Sequence, residues 1–273
     1  MAKFVCPVCS GELIKTENTY RCAEGHSFDI ARQGYVNLLR SQQSSKKHHG
    51  DDKLMVLARQ KFLNKGYYKP LSDAIDEIAV KYSSNEPRIL DAGCGEGWYT
   101  ANLISALKEA GKQPEVIGID ISKDALKAAA QRCKEASFAV ASAYDLPVAD
   151  SSQDMVISIF SPLADGEFRR TVKSGGYFVR AVPGEEHLLG LKEKIYDTPY
   201  INDPIDTELY GFELVEEVKV DYELHLNMTE DILALFMMTP YYYKTSKADQ
   251  QKLDSLESLE TTVQVLSAIY KKL

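Results

Sequence analysis

The residues best suited to chemistry lie in one short stretch, Ile89–Gly97, which reads Ile-Leu-Asp-Ala-Gly-Cys-Gly-Glu-Gly. Its apolar start predicts a buried strand, and the alternating glycines predict a loop that opens a helix. Glycine at Gly93, Gly95 and Gly97 lets the backbone approach a ligand closely and adopt angles that other residues avoid. Because a strand that runs into a glycine loop and a helix typically holds such a ligand, we expect a nucleotide-like cofactor here. The spacing differs from the Gly-x-Gly-x-x-Gly pattern of dinucleotide sites. The alternative is a glycine-rich turn in an unrelated α/β protein.

Two acidic residues stand at the ends of the predicted strands beside this loop. Asp91 closes the first strand, where it either orders the glycine loop or has a purely structural role. A second apolar run, Val116–Ile119, ends in Asp120, about 20 residues further on, where such folds place an acid. A carboxylate at this position can accept hydrogen bonds from both ribose hydroxyls of an adenosine. Ser122 then suits the N-cap of a helix that begins at Lys123.

The N-terminal segment carries a different kind of site. Cys6 and Cys9 are spaced as a Cys-x2-Cys knuckle, and Cys22 and His26 follow after enough residues for a short hairpin. Four such ligands fit tetrahedral zinc, and with no open coordination position the zinc would be structural. Because the segment has few large apolar residues, the metal would supply much of its folding energy. Reactive or merely buried cysteines are the alternative.

Composition bounds the remaining possibilities. The 273 residues carry a formal net charge of −8, yet residues 1–70 hold 12 Lys and Arg against six Asp and Glu. A basic first third on an acidic body is typical of a protein whose one end meets a polyanion. No apolar run approaches the ~18 residues that a membrane span needs, and the N-terminus lacks the apolar core of a signal peptide. We therefore expect no membrane association and a cytoplasmic location.

The order of the predicted elements indicates an α/β fold. Short apolar strands near 88–91, 115–119, 137–140, 154–160 and 177–182 alternate with helices, apart from a turn at 173–176. This alternation predicts a doubly wound parallel sheet that binds ligands at the carboxyl ends of its strands. Two further helices are predicted at 54–63 and 70–82.

Two domains and a linker follow from this interpretation. We expect residues 1–40 to form a zinc-binding module, residues 41–53, with almost no apolar side chain, to form a flexible linker, and residues 54–273 to form the domain that contains the parallel sheet. Ser142 and Ala143, after the third strand, sit where backbone N–H groups of such folds reach an adenine edge. An Asp is more usual at that position than Ser142.

Together these patterns support a family resemblance. The loop after Asp91 resembles motif I of the class I S-adenosylmethionine-dependent methyltransferases. With the Cys and His pattern and the segment Phe28–Leu39, nearly the whole chain resembles the 23S ribosomal RNA guanine-N1 methyltransferases of the RlmA and TlrB type. Further residues that carry the resemblance are Arg59, Phe62, Gly66, Tyr67, Tyr68, Pro183, Gly184, His187, Leu188, Met238, Thr239 and Pro240.

The resemblance implies a class I (Rossmann-like) methyltransferase sheet with a small N-terminal zinc-binding module. It also implies methylation of a guanine at N1 in a hairpin of large-subunit (23S) ribosomal RNA, with S-adenosylmethionine as donor. Members of this kind are homodimers whose zinc modules help bind RNA. By position, the residues that match zinc ligands are Cys6, Cys9, Cys22 and His26. Those that match contacts to S-adenosylmethionine are Tyr68, Gly95, Glu96 and His187.

Several points stay open at this stage. Asp165 and His187 are available to remove the guanine N1 proton, and nothing in the sequence selects either, so the catalytic base is unassigned. The aromatic run Tyr241–Tyr243 suits base stacking, while core packing or a strand are equal alternatives. Residues 161–166 and the final 30 or so depart from the family pattern, which leaves the choice of target base open. The competing functions are a class I methyltransferase for another RNA or a small molecule, and a non-enzymatic zinc-containing RNA-binding protein.

Overall fold

The computed structural model describes residues 4–40 and 50–273. The chain opens with a three-stranded antiparallel sheet formed by β1 (Ile14–Lys15), β2 (Thr19–Arg21) and β3 (Ser27–Asp29). The next strand, β4 (Tyr35–Asn37), is not part of this small sheet. It pairs in parallel with a strand of the larger, eight-stranded sheet. Most of the predicted linker, residues 41–49, lies outside the described residues.

Nine helices and seven further strands follow within the described residues. The helices are α1 (Lys53–Asn64), α2 (Lys69–Tyr82), α3 (Trp98–Glu109), α4 (Lys123–Arg132), α5 (Asp165–Thr171), α6 (Leu189–Ile195), α7 (Thr229–Met237), α8 (Tyr241–Lys244) and α9 (Lys247–Gln251). The strands are β5 (Arg88–Ala92), β6 (Glu115–Asp120), β7 (Ser137–Val140), β8 (Gln153–Ile159), β9 (Val172–Pro183), β10 (Phe212–Leu226) and β11 (Leu259–Lys272). The two helices predicted at 54–63 and 70–82 are confirmed as α1 and α2.

Local caps explain where two of the helices begin. The Asp52 carboxylate accepts hydrogen bonds from the N–H groups of Leu54 (2.9 Å) and Met55 (3.0 Å) and so caps α1. The predicted cap at Ser122 is confirmed, since its hydroxyl accepts from the N–H of Ala125 at 3.1 Å. Both caps satisfy donors that the first helical turn leaves without a partner.

The large sheet has eight strands in the order β10-β11-β9-β8-β5-β6-β7-β4. The strands from β4 to β9 run parallel, as the alternation of strands and helices predicts, whereas β11 and β10 pair antiparallel to β9 and to each other. This α/β architecture is the predicted Rossmann-like sheet with an antiparallel extension. Sequence reasoning placed no strand at β10 or β11.

Alternating side chains of the sheet build two cores. Ile89 and Val116 face a core with α1 to α4, α6 and α7, while Leu90 and Ile117 face the opposite side. On that opposite side the sheet is covered by α5 and by the N-terminal module, residues 4–40. The module contributes Phe4, Cys6, Leu13, Tyr20 and Cys22 to this second core. The module is therefore continuous with the sheet through buried apolar contacts, not a separate body.

Two local predictions need correction. The turn predicted at 173–176 lies inside β9 as a bulge, because pairing with β8 jumps from Gln153↔Val172 to Met155↔Tyr177. The strand considered for 241–243 is the short helix α8, which follows the end of α7. None of the helices within 4–40 and 50–273 combines the length and apolar character that crossing a membrane requires.

Candidate cofactor and acceptor cavity with a candidate zinc centre

A cavity of about 790 Å³ opens at the carboxyl ends of the parallel strands. Its wall runs from Ser142, after β7, to Pro183, at the end of β9. Those two strands are four positions apart in the sheet, which corresponds to about 19 Å at the usual strand spacing. The cavity is therefore long enough for an extended cofactor and a second group beside it.

Nine of the ten residues predicted to bind the cofactor line this cavity. They are Tyr68, Asp91, Gly93, Gly95, Glu96, Asp120, Ser142, Ala143 and His187. Gly97 is not part of the wall; it stands at the N-cap of α3 and packs against α4. That these residues bind a cofactor stays a prediction, which the cavity makes geometrically possible.

The glycine loop has the backbone shape that its residue types suggested. Gly93, Gly95 and Gly97 have φ angles of 90°, 55° and 80°. The N–H groups of Gly93 and Cys94 both donate to the carbonyl of Ile119, at 2.7 and 3.0 Å, which ties the loop to the end of β6. Glycine is favoured at these angles because a side chain strains a positive φ.

Gly97 allows a prediction with a matched control. A Cβ at Gly97 would lie 2.9 Å from Cα and Cβ of Ala129, whereas one at Gly111, with nearly the same φ, would meet nothing within 4 Å. Both Gly97→Ala and Gly111→Ala carry the backbone cost of about 1–2 kcal/mol. Overpacking should cost Gly97→Ala about 1–3 kcal/mol more in urea unfolding. Equal losses for the two variants would contradict close packing of α3 on α4.

Asp120, at the end of β6, hydrogen-bonds the glycine loop and lines the cavity. Its Oδ2 accepts from the N–H of Gly95 at 2.9 Å and its Oδ1 from the N–H of Ser122 at 2.8 Å. Burial raises the pKa of Asp120, and the two N–H groups oppose that rise. A carboxylate can accept about four hydrogen bonds. Each oxygen therefore keeps a lone pair for a ligand in the cavity.

Asp91 lies deeper. The hydroxyl of Thr100, in the first turn of α3, donates to Asp91 Oδ2 at 2.6 Å, so Asp91 anchors the helix that follows the glycine loop. Burial raises the pKa of Asp91 to about 7. The contact supports the structural interpretation of this residue.

The raised pKa of Asp91 predicts a pH-dependent effect of Asp91→Asn. Because the folded-state pKa lies above the ordinary value of 3.8, ionisation of this carboxyl lowers wild-type stability as pH rises from about 4 to about 7. The amide avoids that cost and can still accept from Thr100. In urea unfolding, we expect the variant to gain about 2–4 kcal/mol over wild type at pH 8 and little at pH 4. An advantage that is equal at both pH values would contradict a buried, ionising Asp91.

Glu96 is almost fully buried at the cavity wall. Its Oε2 accepts from Nε and Nη2 of Arg132, at 2.9 and 2.7 Å. Burial raises the pKa of Glu96 despite this ion pair. The pair joins the glycine loop to the end of α4, which gives Glu96 a structural role alongside the predicted cofactor contact.

Tyr68 and His187 lie side by side, with ring centroids 6.4 Å apart. His187 Nδ1 accepts from the N–H of Gln264 at 3.2 Å, so the proton of the neutral ring is on Nε2. Burial, together with the charge of Lys192, lowers the pKa of His187 to about 4. At neutral pH His187 is therefore a hydrogen-bond donor into its surroundings and a poor base. Asp165, the other base considered, is exposed and does not line the cavity.

Sequence reasoning missed part of the wall. Arg59, named only through the family resemblance, donates to Asp51 Oδ2 (2.7 Å from Nη2) and to the carbonyl of Met238 (2.9 Å). Tyr99 also lines the cavity, and its hydroxyl is buried without a hydrogen-bond partner among the described residues. A buried orphan hydroxyl at a cavity is satisfied when a ligand supplies the partner. No spacing rule links Asp51, Arg59 and Met238, because they meet only in three dimensions.

The four predicted zinc ligands meet at one point. The candidate ligand atoms of Cys6, Cys9, Cys22 and His26 all lie within 4.8 Å of one another. Cys9 Sγ and Cys22 Sγ are 3.6 Å apart, and Cys22 Sγ is 3.3 Å from His26 Nδ1. Tetrahedral zinc with Zn–S bonds of about 2.3 Å places sulfur atoms about 3.8 Å apart. The donor set and its spacing therefore fit a structural zinc ion.

Comparisons with known proteins agree with both sites. A family model described as "RlmA, N-terminal" matches residues 4–47, and one described as a methyltransferase domain matches residues 89–176. YxjB of Bacillus subtilis (strain 168), named as a candidate 23S rRNA (guanine-N(1)-)-methyltransferase, is 32% identical over 272 residues, which cover 96% of this chain and 94% of that protein. The 23S rRNA (guanine(748)-N(1))-methyltransferase of Streptomyces fradiae is 35% identical over 193 residues, which cover 70% of this chain and 66% of that protein. The chain therefore belongs to the family of 23S rRNA (guanine-N1)-methyltransferases, with an S-adenosylmethionine-dependent methyltransferase domain and a zinc ribbon.

Proposed function

We propose that this protein transfers a methyl group from S-adenosylmethionine to N1 of a guanine in a hairpin of 23S ribosomal RNA. The observation that carries the proposal is the cavity itself, in which the glycine loop and Asp120 meet at one edge of the sheet. A relative with this name, YxjB of Bacillus subtilis, matches 96% of the chain, which supports the substrate.

The cofactor end of the cavity is proposed from the residues that the sequence singled out. Asp120 has a free lone pair on each oxygen for two ribose hydroxyls, and Ser142 and Ala143 border the same end after β7. Gly93 and Gly95 leave room for the amino-acid part of the cofactor beside Glu96. When bound, S-adenosylmethionine supplies an electrophilic methyl group on a sulfonium ion.

The protein contributes to the reaction mainly by aligning the methyl donor with the guanine and by excluding water. A guanine N1 is paired and protonated in a duplex, so the base must leave its helix to enter the cavity. Near-attack geometry then provides much of the rate, since the reacting atoms are held within contact distance. His187, neutral and with its proton on Nε2, is suited to donate a hydrogen bond rather than to remove the N1 proton.

The finer organisation is part of the same proposal. Residues 1–40 act as a zinc-binding RNA-recognition module, 41–53 as a linker and 54–273 as the methyltransferase domain. The zinc ion, held by Cys6, Cys9, Cys22 and His26, is structural. Residues 1–70 carry the excess of basic side chains that phosphate contact requires. We further propose that the protein acts in the cytoplasm as a homodimer.

Two experiments test this function. Primer extension on 23S rRNA from cells that lack the protein should lose one polymerase stop, because an N1-methylated guanine cannot pair. The purified wild-type protein with S-adenosylmethionine should restore that stop on unmodified 23S rRNA. If no stop disappears on deletion, the RNA substrate is wrong. If calorimetry of the folded, zinc-loaded protein shows no binding of S-adenosylmethionine, the assignment as a methyltransferase is wrong. A non-enzymatic RNA-binding protein is then the better interpretation.

A further inference from the structure

Part of the cavity lies beyond the proposed cofactor residues. Its wall, from the last residue of β9 onwards in the chain, contains Pro183, His187, Tyr200, Asn202 and Tyr241. β9 stands two positions from β5 in the sheet, so the end of β9 is about 10 Å from the end of β5, which precedes the glycine loop. Of these five residues only His187 belongs to the predicted cofactor set. The remaining wall is where a second reactant would bind.

A fully buried lysine lies behind this wall. Lys192, on α6, donates from Nζ to the carbonyl of Tyr200 at 3.1 Å and to Asn202 Oδ1 at 2.8 Å. Nζ is 4.5 Å from the ring centroid of Tyr200 and 5.7 Å from that of Tyr241. Within residues 4–40 and 50–273, no carboxylate forms an ion pair with it. One ammonium thus contacts two of the aromatic rings of the wall.

Such a lysine is hard to explain by stability. Burying a cation without an opposite charge is unfavourable, and a similar apolar side chain would avoid that cost. Burial also lowers the pKa of Lys192. The Lys192 ammonium fixes a position instead, because its two hydrogen bonds attach the segment that carries Tyr200 and Asn202 to α6. Lys192 is therefore a candidate for a functional role at the cavity beside it.

Asn202 completes the attachment of this segment. Its Nδ2 donates to the carbonyl of Gly184 at 2.6 Å, and its N–H donates to the carbonyl of Glu185 at 2.8 Å. The side chain therefore bridges Lys192 and the turn that follows β9. Tyr200 is 47% exposed and lines the cavity, so its ring is available there although its carbonyl is held by Lys192.

We propose that Tyr200 and Tyr241 form the stacking wall for the target base, and that Lys192 is the positioning residue that holds this wall in place. The inference rests on the proposed function, since it assigns the acceptor end of the same cavity. An extruded base offers a flat aromatic face, and proteins hold unpaired bases by stacking them on aromatic side chains. Lys192 does not line the cavity and acts through Tyr200 and Asn202.

The stacking wall is tested by steady-state methyl transfer to in-vitro-transcribed 23S rRNA. Tyr200→Ala and Tyr241→Ala should each lower kcat/KM for the RNA roughly 5- to 150-fold, the range expected for loss of one stacked base. Calorimetry should show their Kd for S-adenosylmethionine within about twofold of wild type. Tyr200→Phe, which keeps the ring, should recover most of the loss. The matched control is Tyr210→Ala, since Tyr210 is 81% exposed and lies outside the cavity wall.

The role of Lys192 is tested by a double-mutant cycle. Lys192→Met keeps the volume and removes both hydrogen bonds, and it should lower kcat/KM for the RNA roughly tenfold, with unchanged affinity for S-adenosylmethionine and no loss of Tm. If Lys192 acts through Asn202, then Lys192→Met combined with Asn202→Ala should lose little more than the worse single variant. Strictly additive losses, or a Lys192→Met variant with weaker cofactor binding, would overturn the positioning role.

The outcomes separate this inference from the function on which it rests. A wild-type protein that methylates no guanine in the RNA overturns the proposed function and the inference together. An active wild type with an equally active Tyr200→Ala variant overturns the inference alone. A Tyr200→Ala variant whose only defect is cofactor affinity also overturns it, because the ring would then belong to the cofactor end.

Discussion

Replacing Cys22 with serine is expected to empty the zinc site and to destabilise the whole protein. Serine is a poor zinc ligand, and structural zinc sites of this kind contribute about 10–16 kcal/mol of binding free energy in isolated peptides. The three remaining ligands, Cys6, Cys9 and His26, cannot close a tetrahedral site. Atomic emission should find zinc falling from one equivalent to near zero.

The loss should reach the sheet because the module shares its core. Phe4, Leu13 and Tyr20 pack in the same cluster as Leu90 and Ile117 of β5 and β6. Unfolding the module would expose that face of the sheet to water at a cost of about 25 cal/mol per Å² of apolar surface. We expect Tm to fall by roughly 10 °C or more in calorimetry, and methylation of 23S rRNA to be lost with it.

Cys133→Ser is the matched control for this prediction. Cys133 is also buried and is a free thiol, but it lies at the C-terminal end of α4, away from the four ligands. It should keep a full equivalent of zinc and lose about 1 kcal/mol or so of stability. A Cys22→Ser variant that retains both its zinc and its Tm would show that the cluster is not the metal site.

The second large effect is expected at Asp120. In Asp120→Ala, the N–H of Gly95 loses its acceptor and the cavity loses the carboxylate proposed to bind two ribose hydroxyls. Hydrogen bonds to a charged group contribute about 1.5–3 kcal/mol each. The Kd for S-adenosylmethionine should therefore rise by about 100-fold or more in calorimetry. Asp120→Asn, which keeps one acceptor oxygen, should lose less.

Asp124→Asn serves as the control for Asp120. Asp124 lies four residues further on, in the first turn of α4, and forms an ion pair with Lys127 on the surface. Surface pairs of this kind contribute about 0–1 kcal/mol, so affinity for the cofactor should not change. An Asp120→Ala variant that binds S-adenosylmethionine as tightly as Asp124→Asn would remove the ribose contact from the proposal.

Features that depend on neighbouring residues were predictable from the sequence. The strand, loop and helix around Gly93, the N-cap at Ser122 and the spacing of Cys6 and Cys9 each involve a few consecutive positions. Their residue types satisfy local requirements: a positive φ, a first-turn N–H, a metal ligand on a tight turn. The parallel part of the sheet followed from the alternation of such elements.

Features that join distant parts of the chain were decided by tertiary structure. β4 pairs with β7 across about a hundred residues, and the long antiparallel strands β10 and β11 extend the sheet. The alternation of apolar and polar residues over Val218–Leu226 is a local strand signal that sequence reasoning did not use, whereas the pairing of β10 with β11 is decided by the tertiary structure. The contacts of Arg59 with Met238 and of Lys192 with Asn202 are likewise invisible in composition or spacing.

The physical reason is that burial and hydrogen-bond partners are properties of the folded chain. Residue types and short-range spacing determined the chemistry available to this protein, namely a glycine loop suited to a cofactor and a Cys and His set suited to zinc. Whether a buried polar side chain such as Lys192 or Tyr99 has a partner depends on which distant segments pack around it. The shape of the cavity, and so the end at which a base can bind, was decided only by that packing.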